Sequence, residues 1–193
     1  MRQAARHVIL DRDGVLDAEL PVGGYLVDWS QWRWLPGALD SLARLHAAGW
    51  CISVATNQSA VGRGLLARTA LDAIHHRMCE EAAHAGGAID HVFTCLHAPS
   101  RACACRKRAP GLLLDALRTT RIPRDATIAV GDDVRDIEAA RRAGIPVALV
   151  RTGKGAVTAT RLADTDVPVF DDLAAFTSAL LAGTITTGGG PAA

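Results

Sequence analysis

Short apolar runs alternate along this chain with segments whose apolar residues recur every three or four positions. Residues 8–10 (VIL) form the first run and 50–55 (WCISVA) the second, and both read as buried strands. Residues 89–94, 128–130 and 147–150 are expected to be three more strands. Between the first two, Pro36-Gly37 opens a helix with Leu39, Leu42 and Leu45 on one face, stopped by Gly49. Thr69 is expected to cap a second helix, with Leu71, Ile74 and Met78 aligned and Gly86-Gly87 at its end. Further helices are predicted over 111–118, 133–143 and about 173–181. Strand–helix alternation of this kind predicts an α/β fold, a three-layer Rossmann-like parallel sheet covered on both faces.

The polar residues then fall into a pattern. Asp11 follows the first strand and Thr56-Asn57 the second; a cysteine cluster follows the third and Gly131-Asp132 the fourth. Ligands of open α/β sheets bind outside the carboxyl ends of the strands, and these groups all belong to that edge.

Length and composition narrow the class. The 193 residues suit one domain, expected over 1–185, with a Gly-rich flexible tail over 186–193 (TTGGGPAA). Apolar residues make up 49% and charged residues 21%, an ordinary balance for a globular protein. A net charge of +1 supplies no general attraction to nucleic acid or membrane, so neither is an expected partner. The apolar run after the two N-terminal arginines is too short for a signal peptide, and no stretch reaches membrane-spanning length. Five cysteines, an odd number, argue against a complete disulfide framework. A cytoplasmic, monomeric protein is the expectation.

Asp11, Asp13, Asp132 and Asp136 are the first chemical constellation. Converging carboxylates repel one another unless a cation or proton is present, and oxygen-only ligands suit Mg²⁺ with a phosphate completing its shell. Turns and helix caps explain most loop aspartates one at a time. They do not explain acidic pairs after two different strands at one sheet edge. Thr56-Asn57-Gln58-Ser59 adds uncharged donors suited to phosphoryl oxygens, and one cation of Arg106-Lys107-Arg108 could face the same place. A solvated basic turn is the commoner fate of such a run.

Cys95, His97, Cys103 and Cys105 are the second constellation. Three thiolates and an imidazole within eleven positions make a closed, structural Zn²⁺ set that would pin a loop rather than activate water. Cys51 and Cys79 read as small buried hydrophobes. His46, His75, His76, His84 and His91 read as surface or partly buried residues, and Trp29, Trp32 and Trp34 as cover for the core or a lid. Glycine-rich phosphate loops and the nucleophile elbow of serine hydrolases are missing from the sequence.

Asp11-Arg12-Asp13-Gly14, Thr56-Asn57-Gln58-Ser59, Lys107 and Gly131-Asp132…Asp136 resemble the four motifs of the haloacid dehalogenase (HAD) superfamily of phosphohydrolases. The likeness covers about residues 8–153. With the Cys/His loop, Cys105-Arg106-Lys107 and Arg151-Thr152-Gly153-Lys154, it is strongest to the branch acting on heptose 1,7-bisphosphate, and the histidinol-phosphatase branch shares most features. The resemblance implies Asp11 as nucleophile and Asp13 as acid/base. It implies Mg²⁺ on the side chains of Asp11 and Asp132 and the main-chain carbonyl of Asp13, with Thr56 and Lys107 on the phosphoryl oxygens. Arg106 would meet a distal charge of a small phosphorylated sugar. No cap domain fits between the motifs, so the segment 22–34, with Gly24 and Tyr25, and the zinc-pinned loop would recognise the substrate. Asp133 stands where the heptose branch often carries Lys, exchanging a cation for an anion beside the metal. A phospho-accepting receiver domain would share Asp, Mg²⁺ and Lys but not the acid/base Asp13. A catalytically idle zinc-pinned binding module would not need Asp11, Asp13, Lys107 and Asp132 together.

Overall fold

The computed structural model describes residues 5–21, 24–162 and 166–187. Six parallel strands form one sheet: β1 (Arg6–Leu10), β2 (Trp50–Asn57), β3 (His91–Cys95), β4 (Thr127–Gly131), β5 (Val147–Val150) and β6 (Val169–Phe170), in the order β3-β2-β1-β4-β5-β6. The five predicted strands are all present with ends displaced by a few residues. β6 is new, its two residues being too few to carry a pattern. The helices are α1 (Ala38–Ala47), α2 (Ser59–Gly62), α3 (Arg68–His84), α4 (Gly111–Thr120), α5 (Val134–Ala143), α6 (Gly155–Thr160) and α7 (Leu173–Leu181).

The two-residue period of the strands separates two cores. Val8, Leu10, Ile52, Val54, Ile128, Val130, Ala148 and Val150 face α1, α3 and α7, packing on Leu42, Leu45, Leu71, Met78 and Phe176. Ile9, Ala55, Ala129, Val147 and Leu149 face α4 and α5, where Leu112, Leu113 and Ile137 meet them. Each Val, Leu, Ile, Met or Phe side chain among them contributes roughly 1.5–3 kcal/mol when withdrawn from water. Both faces are covered, which is why the strands read as continuous apolar runs rather than alternating ones.

Two local expectations change. Thr69 does not cap α3: the Ala67 carbonyl accepts the first bonds, from Ala70 and Leu71, and the Arg68–Asp72 pair at 2.8 Å steadies the opening turn. α2 and α6, of four and six residues, were not predicted because each is shorter than the repeat that would reveal it. The tryptophan segment behaves as core cover. Trp32 is buried, stacked on Trp29 at 4.9 Å and met edge-on by Trp34 at 5.0 Å. Among the described residues, loops and short helical turns are all that lies between β1 and α1, β2 and α3, and β3 and α4. Residues 22 and 23 of the recognition segment and 188–193 of the tail lie outside the described residues. No described helix is long and apolar enough to cross a membrane.

The strand order reverses between β1 and β4. From there β2 and β3 run outward one way and β5 and β6 the other, leaving a crevice at the carboxyl edge between the central pair.

Candidate active site

Asp11 and Asp132 stand on the two sides of that crevice. The Asp11 amide still donates to the Val130 carbonyl at 2.9 Å, so its side chain leaves the sheet from a fixed backbone. The chain then turns tightly, with the amides of Val15, Leu16 and Asp17 converging on the Arg12 carbonyl. Gly14 adopts φ +84°, which side chains rarely tolerate, and it abuts the Asp132 carboxylate; Gly153 abuts the same carboxylate from β5's side. The Lys154 amide donates to Asp132 Oδ2 at 2.7 Å.

Carboxylate oxygens of Asp11, Asp132 and Asp136 lie within 4.8 Å of one another. Burial pushes Asp132 up to about 7, against the Lys154 amide and with help from Asp136. Burial likewise raises Asp11 well above the ordinary range; Lys107 opposes the shift, and Asp136 and Asp132 add to it. These are the strains a divalent cation would relieve, so the donor set fits Mg²⁺. Asp133, the anion in place of lysine, is taken up elsewhere. It caps α5 in a reciprocal capping box with Asp136 and pairs with Arg135 at 2.7 Å, and Arg135 lines the crevice.

Lys107 is buried and points its ammonium at Asp11 (2.8 Å), Asp136 (2.6 Å) and the Ala55 carbonyl (2.7 Å). Burial works against that charge, but the two carboxylates raise the lysine above its usual value. Asn57 is not turned to the crevice as a free donor: both ends of its amide are engaged with the Lys107 main chain.

Asp13 has different partners from Asp11. Arg12 Nε and Nη2 donate to Asp13 Oδ1 at 3.2 and 2.6 Å; Gln58 Nε2 at 2.7 Å and Thr56 Oγ1 at 3.4 Å donate to Oδ2. Burial opposes its charge, yet Arg12 and Gln58 hold Asp13 below the ordinary carboxylate value. Two of the expected phosphoryl donors, Thr56 and Gln58, are thus engaged with Asp13 here, and Gln58 also donates to Thr56 at 2.8 Å. Behind them, Arg12 Nη1 meets His75 Nε2 at 3.2 Å. His75, expected at the surface or partly buried, is buried, because it faces Arg12 in the Asp11–Asp17 turn. Nothing local in the sequence marked His75 or Asp17; for Arg12 its place between two aspartates was the signal.

A crevice of about 320 Å³ opens over these groups. Asp11, Asp13, Asn57, Gln58, Ser59, Lys107 and Asp132 line it, together with Gly24, Tyr25 and Arg106 from the two loops expected to recognise substrate. Cys95, His97, Cys103 and Cys105 come together beside it. Sulfur atoms of Cys95 lie 3.2 Å from Cys105 and 3.8 Å from Cys103, and His97 Nδ1 lies 3.2 Å from Cys105 Sγ. Tetrahedral zinc with 2.3 Å bonds to sulfur needs edges of about 3.8 Å; the Cys95–Cys103 edge has that length, and the Cys95–Cys105 edge is shorter and would open to admit the ion. Burial, with Cys105 alongside, pushes the Cys95 thiol up to about 12, a cost that a cation would remove. The cluster also sets the crevice wall, since Arg106 follows Cys105 and donates to the His97 carbonyl at 3.2 Å.

Comparison with known proteins agrees with this geometry. The HAD-hydrolase-like family model matches residues 104–176. The D-glycero-beta-D-manno-heptose-1,7-bisphosphate 7-phosphatase of Bordetella bronchiseptica is 41% identical over 178 residues, spanning 90% of this chain and 97% of that protein. The chain belongs to the heptose-bisphosphate phosphatase family of the HAD superfamily. It is a phosphoric monoester hydrolase. The family's Pseudomonas aeruginosa beta-heptose enzyme is 39% identical, with 90% and 97% of the two chains covered. An alpha-heptose member from Mycobacterium bovis is 42% identical, over 69% of this chain and 70% of its own. The crystal structure of the B. bronchiseptica phosphatase with magnesium and phosphate superposes with a TM-score of 0.87, covering 92% of this phosphatase and 99% of the other at 39% identity.

Proposed function

We propose that this phosphatase removes the 7-phosphate of D-glycero-D-manno-heptose 1,7-bisphosphate through an aspartyl-phosphate on Asp11. The observation that carries the reading is the division of labour between two carboxylates two residues apart. Asp11 faces Lys107 and the acidic trio, whereas Asp13 is held by Arg12 and Gln58.

Asp11 attacks phosphorus as the bond to the sugar oxygen breaks. Asp13 gives its proton to the leaving alkoxide, then takes one from the water that cleaves the aspartyl-phosphate. The negative charge of an arriving phosphate raises Asp13 back toward protonation, against Arg12. Lys107, fixed by Asp136 and the Ala55 carbonyl, balances charge on the transferring oxygens, with Thr56 and Ser59 at the same edge. Mg²⁺, held by Asp11, Asp132 and the Asp13 carbonyl, would screen the nucleophile from the phosphate when bound. Arg106, which has no carboxylate partner among the described residues, would take the distal phosphate. Zn²⁺ on Cys95, His97, Cys103 and Cys105 is structural in this reading. Five cysteines without a disulfide suit a reducing cytoplasm.

The test is the initial rate of phosphate release with Mg²⁺ on α- and β-heptose 1,7-bisphosphate, histidinol phosphate and an aryl phosphate, with Asp11→Asn alongside. A strong preference for one heptose anomer, lost in the variant, is expected. Uniformly slow turnover on all four would overturn the substrate, and an active Asp11→Asn the mechanism.

A further inference from the structure

Arg12 is 1% exposed and divides its donors between two partners. Nε and Nη2 go to Asp13 Oδ1, and Nη1 goes to His75 Nε2 at 3.2 Å. A guanidinium cannot accept, so Nε2 is the acceptor and His75 is the neutral tautomer with its proton on Nδ1. Burial first, then the charge of Arg12, keeps that imidazole neutral, its pKa down at about 4.

A competitor lies close by. Asp17 is equally buried, neither of its carboxylate oxygens has a hydrogen-bond partner, and Oδ1 stands 3.9 Å from Arg12 Nε. Both residues offer carboxyl oxygens within reach, so a guanidinium held by nothing else could turn to donate to either Asp13 or Asp17. The bond from Nη1 to His75 fixes the plane of the fork, and with it which carboxylate Nε and Nη2 reach. An apolar residue at position 75 would leave a buried N–H unpaired, and turning toward Asp17 would then be the cheaper arrangement. α3 is an apt carrier: Leu71, Ile74 and Met78 seat it on the sheet, so the His75 ring has a fixed origin.

We propose that His75 is a positioning residue for the reaction, holding Arg12 on Asp13 and away from Asp17. The inference rests on Asp13 being the acid/base. An acid/base displaced by a fraction of an ångström loses rate on the chemical step while substrate binding, made by other groups, is unaffected.

The experiment compares His75→Leu, which removes the acceptor, with His75→Gln, whose Oε1 can replace Nε2. Steady-state kinetics on the preferred substrate are measured with Tm for each, and Asp13→Asn is run in parallel. Expected is a kcat lowered roughly ten- to a hundredfold in His75→Leu, with KM within about twofold and most of the rate returned in His75→Gln. Equal kcat in the two variants, whether both at the parent level or both reduced along with Tm, overturns the proposal and leaves His75 a packing residue. An active Asp13→Asn would instead remove the acid/base assignment itself, a separate failure visible without either His75 variant.

Discussion

Asn57 grips the main chain of Lys107 on both sides of its Cα: the Lys107 amide donates to Asn57 Oδ1 at 3.0 Å, and Asn57 Nδ2 donates to the Lys107 carbonyl at 3.0 Å. The last residue of β2 therefore aims the lysine, although the two are 50 positions apart. Asn57→Ala frees both backbone groups, and Lys107 loses its line to the phosphoryl group. We expect kcat/KM to fall about a hundredfold. Inhibition by inorganic phosphate should weaken too, and phosphate inhibition at the parental level would show that Lys107 needs no such grip.

Gly14 and Gly49 separate strain from chemistry. Both have positive φ, +84° and +76°, but a methyl group at Gly14 would overlap the Asp132 carboxylate whereas Gly49 has open space. Each alanine variant carries backbone strain of about 1–2 kcal/mol. Only Gly14→Ala should also weaken Mg²⁺ activation and lower kcat by more than tenfold. Mg²⁺ titrations of activity on both variants check this; equal Mg²⁺ dependence would exclude the contact with Asp132 as the reason for the glycine.

Loss of the Cys/His cluster should act on substrate grip rather than on the chemical step, because its link to the crevice is the bond from Arg106 to the His97 carbonyl. For Cys103→Ala, zinc content drops and KM for the bisphosphate rises roughly tenfold, about 1.4 kcal/mol. An aryl phosphate, having no distal charge for Arg106, should be affected far less. A fall in kcat equal for both substrates would contradict this.

Two histidines contribute stability that is lost in acid. His7, bonded to Ser53 at 2.7 Å, is held at about 4 by burial and then by His91, and His75 at about 4 by burial and then by Arg12. Both values lie below the unfolded value of about 6.5. The unfolded chain thus binds protons that the fold refuses, so stability is lost as pH falls from about 6.5 to 4, at up to about 1.4 kcal/mol per pH unit for each ring. Asp17, raised to about 8 by burial and Asp13, has the opposite sign over that window, as do Asp132, raised to about 7 by burial, and Asp11, raised by burial. The measurement is therefore a difference: Tm against pH for the parent and for a His7→Asn/His75→Gln double variant. The variant should lose less on acidification, and parallel curves would exclude the histidines.

Local pattern was enough to give this chain its sheet, its principal helices and the edge where its chemistry sits. The strands at 8–10, 50–55 and 128–130 are continuous apolar runs because both faces of a parallel sheet are covered, and that cause is visible in one dimension. The acidic pairs after β1 and β4, the four metal-type ligands between 95 and 105, and the lysine at 107 were legible for the same reason: each is a short motif whose residue types have few other uses. What the chain could not show is which side chain each polar group would face. Asn57 and Gln58 read as phosphate donors but are engaged with Lys107 and Asp13, and Asp133 read as a misplaced anion but caps α5 and pairs with Arg135. Arg12 gave no sign of reaching across to His75, 63 positions away. Such partnerships depend on how α3 and the turn after β1 come to rest on the same sheet, where burial leaves a polar atom only the partners within about 3 Å. Period and motif fix which edge of the sheet is reactive; packing decides which pairs of atoms meet there.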